Sequence, residues 1–408
     1  MPLDGNNNFQ QTLHPMLPKP SLEEAERQSF AKSLRGYIQK AILPDLEPVY
    51  QARAAKRFEK ETGHSPRDRH EIRKTMVKEP YFQAYAALNR IAQELLWLSV
   101  IESIDRQYDQ LSATAKSLAN KVGSYKVDRA FTPPNYVTAL DIHCMPGGYA
   151  QNTGDDIEFA AGALYDRGVY LYSMGYGGPF NDDKGRSVVN YIKRNLKEFA
   201  PKTILDMGCA IGHSTLPYKE LFPDAKVFAI DVTEPLVTYA HLRAAGLGVD
   251  ITYEQRNAED TGYPDASFDL VVSHILLHET SGKALPRVLK ECHRLLKPGG
   301  YMIHADLPPF ANMTEFMRFI LDNETYYNAE PFWGAMREMN LVDLSAKAGF
   351  PKDKIMMTTA PMAIREFAGR AKGYDSGIVD QLAKREFKAG EFAPGAGWEV
   401  LIAQKETA

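Results

Sequence analysis

Apolar residues in the first third of the chain fall at helical spacing. Leu88, Ile91, Leu95, Leu98, Ile101, Ile104, Tyr108 and Leu111 recur every third or fourth position, which predicts one long helix with a single buried stripe. Ser21, just ahead of LEEAERQSF, reads as the cap of an earlier helix. Residues 21–125 are therefore expected to form a mainly helical domain. Residues 1–20, rich in Asn, Gln and Pro without periodicity, read as a flexible N-terminal arm.

From about residue 186 the pattern changes to short apolar runs alternating with helical periods. The runs TILDM, KVFAID, DITYEQ, FDLVVSHI, YMIHADL, KIMMTTAP and WEVLIAQK read as strands, and SVVNYIKRNLKEF, EPLVTYAHLRAAG and GKALPRVLKECHRLLKPGG as helices between them. In the last of these, Leu285, Val288, Leu289, Cys292 and Leu296 share one face, and Pro298 with Gly299 and Gly300 ends the helix. Such alternation implies a parallel sheet with helices on both faces. Residues 126–185 read as a connector to the acceptor side, with YVTALDIHCMPGGY as a strand entering a turn and GVYLYSMGYGG as a second aromatic strand or turn. An aromatic, Met-rich helical insertion over about 308–348 has the position of a lid.

Composition narrows the partners. A net charge of −4 over 408 residues provides no positive field for nucleic acid. The basic stretch QARAAKRFEKETGHSPRDRHEIRKTMVKEP is interrupted by acids and reads as a solvated helix pair. Three widely separated cysteines, Cys144, Cys209 and Cys292, suggest neither a disulfide framework nor a metal site. The strongest apolar run, LLWLSVI, is too short for a membrane span. The expectation is a cytoplasmic protein without membrane attachment.

The chemistry is concentrated in TILDMGCAIGHST, where a buried strand breaks into a carboxylate and two glycines. A glycine turn after the first strand of such a sheet lets backbone approach a ligand, but Asp206 just ahead of it would repel a phosphate. It suits a ligand with a cationic part, and Asp231, at the end of the next strand, stands where a ribose diol is held. Here the chain resembles the class I S-adenosylmethionine-dependent methyltransferases. The resemblance continues in order through AID at 229–231, NAED at 257–260, YPDASFDLVVS at 263–273 and VLKECHRLLKPGGYMIHAD at 288–306. It implies an α/β, Rossmann-like seven-stranded fold over 186–408, with S-adenosyl-L-methionine as cofactor. It further implies that Asp206, Gly208, Ala210 and Gly212 line the methionine end and that Asp231 holds the ribose. Asn257, Ala258 and Glu259 would border the adenine, with Ser273 and His274 under the sulfonium. Ala210 departs from the family, which usually has glycine there.

Methyl transfer requires alignment and exclusion of water, with a base only for some acceptors. His278, then His274, are the candidate bases in SHILLHET, and Asp306 is a further carboxylate able to face the acceptor. No metal is expected, because Glu279 follows both histidines instead of standing between them, and no third ligand is evident. Two aromatic clusters are candidates for the acceptor pocket: Tyr165, Tyr170, Tyr172 and Tyr176, and Tyr326, Tyr327, Phe332 and Trp333. Tyr172, Tyr176, Tyr327 and Trp333 are the residues singled out. The expected acceptor is a small organic molecule of the kind met in secondary metabolism. A protein or peptide acceptor, a non-catalytic S-adenosylmethionine-binding module and a nicotinamide-dependent oxidoreductase are the alternatives. The helical N-terminal domain either caps the acceptor site or mediates homodimerisation, and the residues leave both open.

Overall fold

In the computed structural model, residues 11–311, 313–364 and 397–407 are described. Eight strands form one sheet: β1 (Ser124–Lys126), β2 (Thr203–Met207), β3 (Lys226–Asp231), β4 (Thr252–Gln255), β5 (Phe268–His274), β6 (Leu296–Asp306), β7 (Ile355–Pro361) and β8 (Gly397–Gln404). Their order is β1-β4-β3-β2-β5-β6-β8-β7. The pairs from β1 to β6 are parallel, and β8 runs antiparallel between β6 and β7. Seven strands make the Rossmann-like sheet. The eighth, β1, comes from the end of the helical segment and covers the free edge of β4, so WEVLIAQK enters beside β6 and KIMMTTAP forms the far edge.

Period-two alternation sends the two faces of the sheet into different cores. Ile204, Val227, Ala229, Leu270, Val272 and Ile303 pack in one cluster. Leu205, Met207, Ile230, Val271, Met302 and Cys292 pack in the other. Asp206 follows Ile204's face and His274 follows Val272's, whereas Ser273 follows Val271's.

The long helix is Pro80–Leu118, but its buried stripe differs from the expected one. Leu96, Trp97, Val100, Ile104 and Leu111 are buried, while Ile91 and Leu98 are exposed at 51% and 54%. Polar Gln93, Ser99 and Ser103 are buried in the same helix because they hydrogen-bond neighbours, so apolar spacing alone misplaced the seam. Further corrections concern the connector. GVYLYSMGYGG begins inside the helix Ala160–Tyr172. Its glycines serve close packing: a Cβ on Gly168 would lie 2.0 Å from the Trp97 ring, and one on Gly162 would lie 2.2 Å from Tyr239 Cβ. DIHCMPGGY holds a short 3-10 turn, Ile142–Cys144, instead of a strand.

Residues 11–20 are not a loose arm. Met16 and Leu17 are buried, and His14 and Gln11 bond to Asp166. Residues 1–10 lie outside the described residues. The helical segment shares its cores with the rest of the chain. One cluster joins Met16, Leu96, Trp97 and Tyr170 to Leu236 and Tyr239, and another joins Ile38, Leu46 and Phe82 to Phe316 and Phe319 of the 308–348 insertion. Among the described residues, no helix is long and apolar enough to cross a membrane.

Asp166 ties these layers together. Its carboxylate accepts from Gln11 Nε2 at 2.9 Å, His14 Nε2 at 2.9 Å, His213 Nε2 at 3.0 Å and Tyr239 Oη at 3.0 Å, with Arg243 Nε at 3.5 Å. Burial opposes its ionisation, yet His14 and His213 hold its pKa well below the usual range. Removing one partner of such a buried charged cluster strands the others without water. Asp166→Ala should therefore lower the unfolding free energy by about 3–5 kcal/mol, measured by urea titration. A loss below about 1 kcal/mol would mean that the cluster is dispensable.

Candidate functional site

A cavity of about 250 Å³ opens at the carboxyl ends of β2 and β5, where the strand order switches direction and ligands of open α/β sheets bind. Its floor is Asp206, Gly208, Cys209 and Ala210 after β2, with His274 and His278 after β5. Its roof comes from distant parts of the chain: Arg35, Trp97, His143, Tyr172, Glu324 and Trp333.

The turn after β2 is forced into an unusual path. Gly208, Ala210 and Gly212 have φ of 65°, 46° and 75°. A Cβ at Gly208 would lie 2.5 Å from Leu276 Cδ1 at a left-handed φ, so a side chain there would be strained and would displace Leu276. Ala210 adopts the left-handed region despite its methyl group, held there as its N–H donates to Asp231 Oδ2 at 3.0 Å. The other oxygen of Asp231 accepts from Thr233 N and Oγ1. Burial raises the Asp231 pKa.

Asp206 is 1% exposed. Thr215 Oγ1 donates to its Oδ2 at 2.6 Å, but its Oδ1 has no hydrogen-bond partner and lies 3.4 Å from His274 Nδ1. On its other ring nitrogen, His274 Nε2 meets Tyr218 Oη at 3.0 Å. An acceptor left bare at the wall of a cavity is a site for a donor from a ligand.

The other expected residues divide. Tyr172, Tyr176, Trp333 and His278 line the cavity together with Tyr165. Tyr327 does not; its ring packs edge-on against Phe82. Gly212 faces Tyr253, whose Oη would lie 2.5 Å from a Cβ there. Asn257 accepts from Glu259 N, and Glu259 accepts from Tyr136 Oη and Arg287 Nη1, with Ala258 buried beside them. These three lie beyond β4 and are not in the cavity wall. Ser273 points to the opposite face, as alternation requires, and meets His304 Nδ1 at 2.6 Å.

After β5, His278 Nδ1 lies 2.7 Å from Asp306 Oδ1, and Leu277 N donates to Asp306 Oδ2. Asp306 thus orients His278 and does not face the cavity itself. His278 Nε2 stands 3.5 Å from Glu330 Oε2 and 3.9 Å from Glu279 Oε1. His143 Nε2 lies 3.3 Å from Glu279 Oε1, and its Nδ1 2.9 Å from Glu330 Oε1. Burial works against charge on both rings, but the carboxylates win: Glu330 and Glu279 raise His143 to about 10, and Asp306 and Glu330 raise His278. Sequence reading found His278, but missed Arg35, Trp97, His213, Glu324 and Glu330. No local spacing marks them, because each reaches the site through tertiary packing.

Residues 204–300 match the family model described as a methyltransferase domain. Phosphoethanolamine N-methyltransferase 1 of Arabidopsis thaliana is 27% identical over 155 residues, 38% of this chain and 31% of the relative. Demethylmenaquinone methyltransferase of Thermus thermophilus is 31% identical over 112 residues, 28% of this chain and 50% of the relative. The chain spans half or less of the length of these relatives. Among solved structures, Haemonchus contortus phosphoethanolamine N-methyltransferase 2 in complex with S-adenosyl-L-methionine aligns at a TM-score of 0.41 and 19% identity, covering 59% of this chain and 57% of that chain.

Two outcomes follow from the strained and buried groups. Ala210→Gly should relieve the left-handed strain and raise the unfolding free energy by up to about 1 kcal/mol, read from urea midpoints; a decrease would show that the methyl group packs usefully. His304, buried beneath Ser273 and Cys292, has its pKa pulled down to about 4 by burial. The unfolded chain takes up that proton near pH 6.5, so stability is complete above that pH and is lost as pH falls toward 4. Between pH 7 and 5, the loss should be about 2 kcal/mol smaller in His304→Gln than in the parent chain; equal losses would contradict the burial argument.

Proposed function

We propose that this chain, whose residues 204–300 are a class I S-adenosylmethionine-dependent methyltransferase domain, transfers a methyl group to a small organic acceptor. The observation that carries the reading is Asp206, which lines a cavity at the sheet's switch point and whose buried Oδ1 has no hydrogen-bond partner, with only His274 Nδ1 at 3.4 Å. S-adenosylmethionine supplies, when bound, an electrophilic methyl group on a sulfonium, and its ammonium is the kind of donor that Asp206 lacks. Gly208 and Ala210 leave backbone open to it. The resemblance assigns Asp231, pinned by Ala210 and Thr233, to the ribose hydroxyls and the turn Asn257, Ala258 and Glu259 to an adenine edge. In this reading the cofactor extends past the cavity wall to residues beyond β3 and β4. His274, braced by Tyr218, closes the floor beside Asp206.

Acceptor size is argued from the roof. Tyr165, Tyr172 and Trp333 give an apolar lining, and about 250 Å³ beneath them suits a small molecule better than a folded protein surface. Of the two roles left open for the N-terminal helices, capping is favoured, because Arg35 and Trp97 line the cavity. The 308–348 insertion shares that roof through Trp333 and Glu324 and acts as its lid. Small-molecule acceptors also figure in the names of the similar proteins, phosphoethanolamine and demethylmenaquinone among them. The three free cysteines, all buried, suit a cytoplasmic location.

Burial works against charge on His278, but Asp306, Glu330 and Glu279 raise its pKa. Held by Asp306, it positions its neighbours in this reading. Alignment and exclusion of water, with the roof closed, carry the transfer.

Calorimetric titration with S-adenosylmethionine, S-adenosylhomocysteine and NAD tests the reading. The first two should bind, NAD should not, and Asp206→Asn should weaken both by at least about tenfold, the loss of one charge-assisted hydrogen bond. Silence of both sulfur nucleosides, or binding of NAD alone, would sink the cofactor assignment. Binding with no turnover of any acceptor would favour a non-catalytic module.

A further inference from the structure

Three segments that are remote in sequence converge at one wall of the cavity: the turn at 142–144, the Leu277–Glu279 turn after β5, and residues 328–330 of the insertion. The ligand atoms of His143, Glu279 and Glu330 all lie within 4.8 Å of one another. Next to them, His278 Nε2 and Glu330 Oε2 have no hydrogen-bond partner, although the two residues are 1% and 2% exposed and the atoms are only 3.5 Å apart.

We propose that His143, Glu279 and Glu330, with His278 as fourth donor, form a binding site for a divalent transition-metal ion in the cavity wall. This departs from the expectation of no metal, which rested on sequence spacing and could not see Glu330. It does not depend on the methyl-transfer reading.

Donor type comes first. Two imidazoles and two carboxylates suit Zn²⁺, Mn²⁺ or Fe²⁺ better than Ca²⁺, which takes oxygen alone. Ligands bound at about 2.0–2.2 Å stand roughly 3–3.5 Å apart. The separations of 3.3 Å between His143 and Glu279 and 3.5 Å between His278 and Glu330 already match that spacing, and the 3.9 Å between His278 and Glu279 needs only a small contraction.

Each donor is also held from behind, as metal ligands are. Asp306 holds His278 Nδ1, leaving Nε2 toward the carboxylates. Tyr149 Oη donates to Glu279 Oε1, and Asn328 Nδ2 donates to Glu330 Oε1. Asn328 Nδ2 lies 3.0 Å from His143 Nδ1, and His143 Nε2 points toward Glu279.

Charge points the same way. A dication between Glu279, Glu330 and the two imidazoles would be held by two anionic and two neutral donors. The ion would sit where His143 and His278 meet the cavity, so a remaining coordination position would be open to an oxygen of the acceptor.

The full chain, without a histidine tag and stripped with EDTA, is titrated with Co²⁺ while its visible d–d absorption is followed, and Zn²⁺ is added in competition. One equivalent of Co²⁺, displaced by Zn²⁺ and weakened on the order of 100-fold in Glu330→Gln, supports the site. His143→Gln serves as the second variant should Glu330→Gln lose its fold by circular dichroism. Less than a tenth of an equivalent, or Co²⁺ binding unchanged in the folded variants, overturns the proposal. S-adenosylhomocysteine binding is measured on the same samples. Its absence alongside bound Co²⁺ would count against the cofactor reading and leave the metal site standing.

Discussion

Asp166 sits where four stretches of chain meet, and its ionised carboxylate is the group that none of them can do without. Gln11 and His14 reach it from the N-terminal segment, His213 from the turn after β2, and Tyr239 and Arg243 from the helix that follows β3. A bare carboxylate in that position would cost several kcal/mol to bury, so the donors have to arrive together. Because His213 follows Gly212 directly, the cluster also fixes the path of the turn that exposes Asp206. His213 itself is kept neutral, its pKa pulled to about 4 by burial, and so donates a hydrogen bond without adding charge.

The site rests on a contrast between carboxylates. Asp166 and Asp231 have both oxygens occupied by protein donors, and from outside the cavity they hold His213 and Ala210, which line it. Asp206 has one oxygen occupied and one bare, and Glu330 is likewise half satisfied. Buried acceptors of this kind are costly unless something outside the chain completes them. Of the two incomplete groups, Asp206 lines the cavity and suits a cationic donor, and Glu330 stands behind His278 and suits a metal ion.

What the sequence made legible follows from the range of the forces involved. Strands and helices of the second half declare themselves through local periodicity, and Asp206, Gly208 and Ala210 stand at a strand end where topology leaves little choice. Ser273 went astray by a single position, since neighbouring residues of a strand face opposite ways and only the register tells which. The stretch from Gly168 misled for a different reason. Read locally its glycines suggest a strand or turn, whereas in the fold Gly168 lets Trp97 pack against a helix backbone. Arg35, Glu324 and Glu330 were invisible, because their role depends on packing between segments hundreds of residues apart.

The roof and floor of the cavity come from stretches as distant as Arg35, His143, Asp206 and Trp333. No short fragment of the chain contains the site, because its lining is assembled from all of these stretches. A molecule that fits the cavity binds the folded chain and not the unfolded one, so its binding free energy adds to the stability of the whole and couples the four stretches.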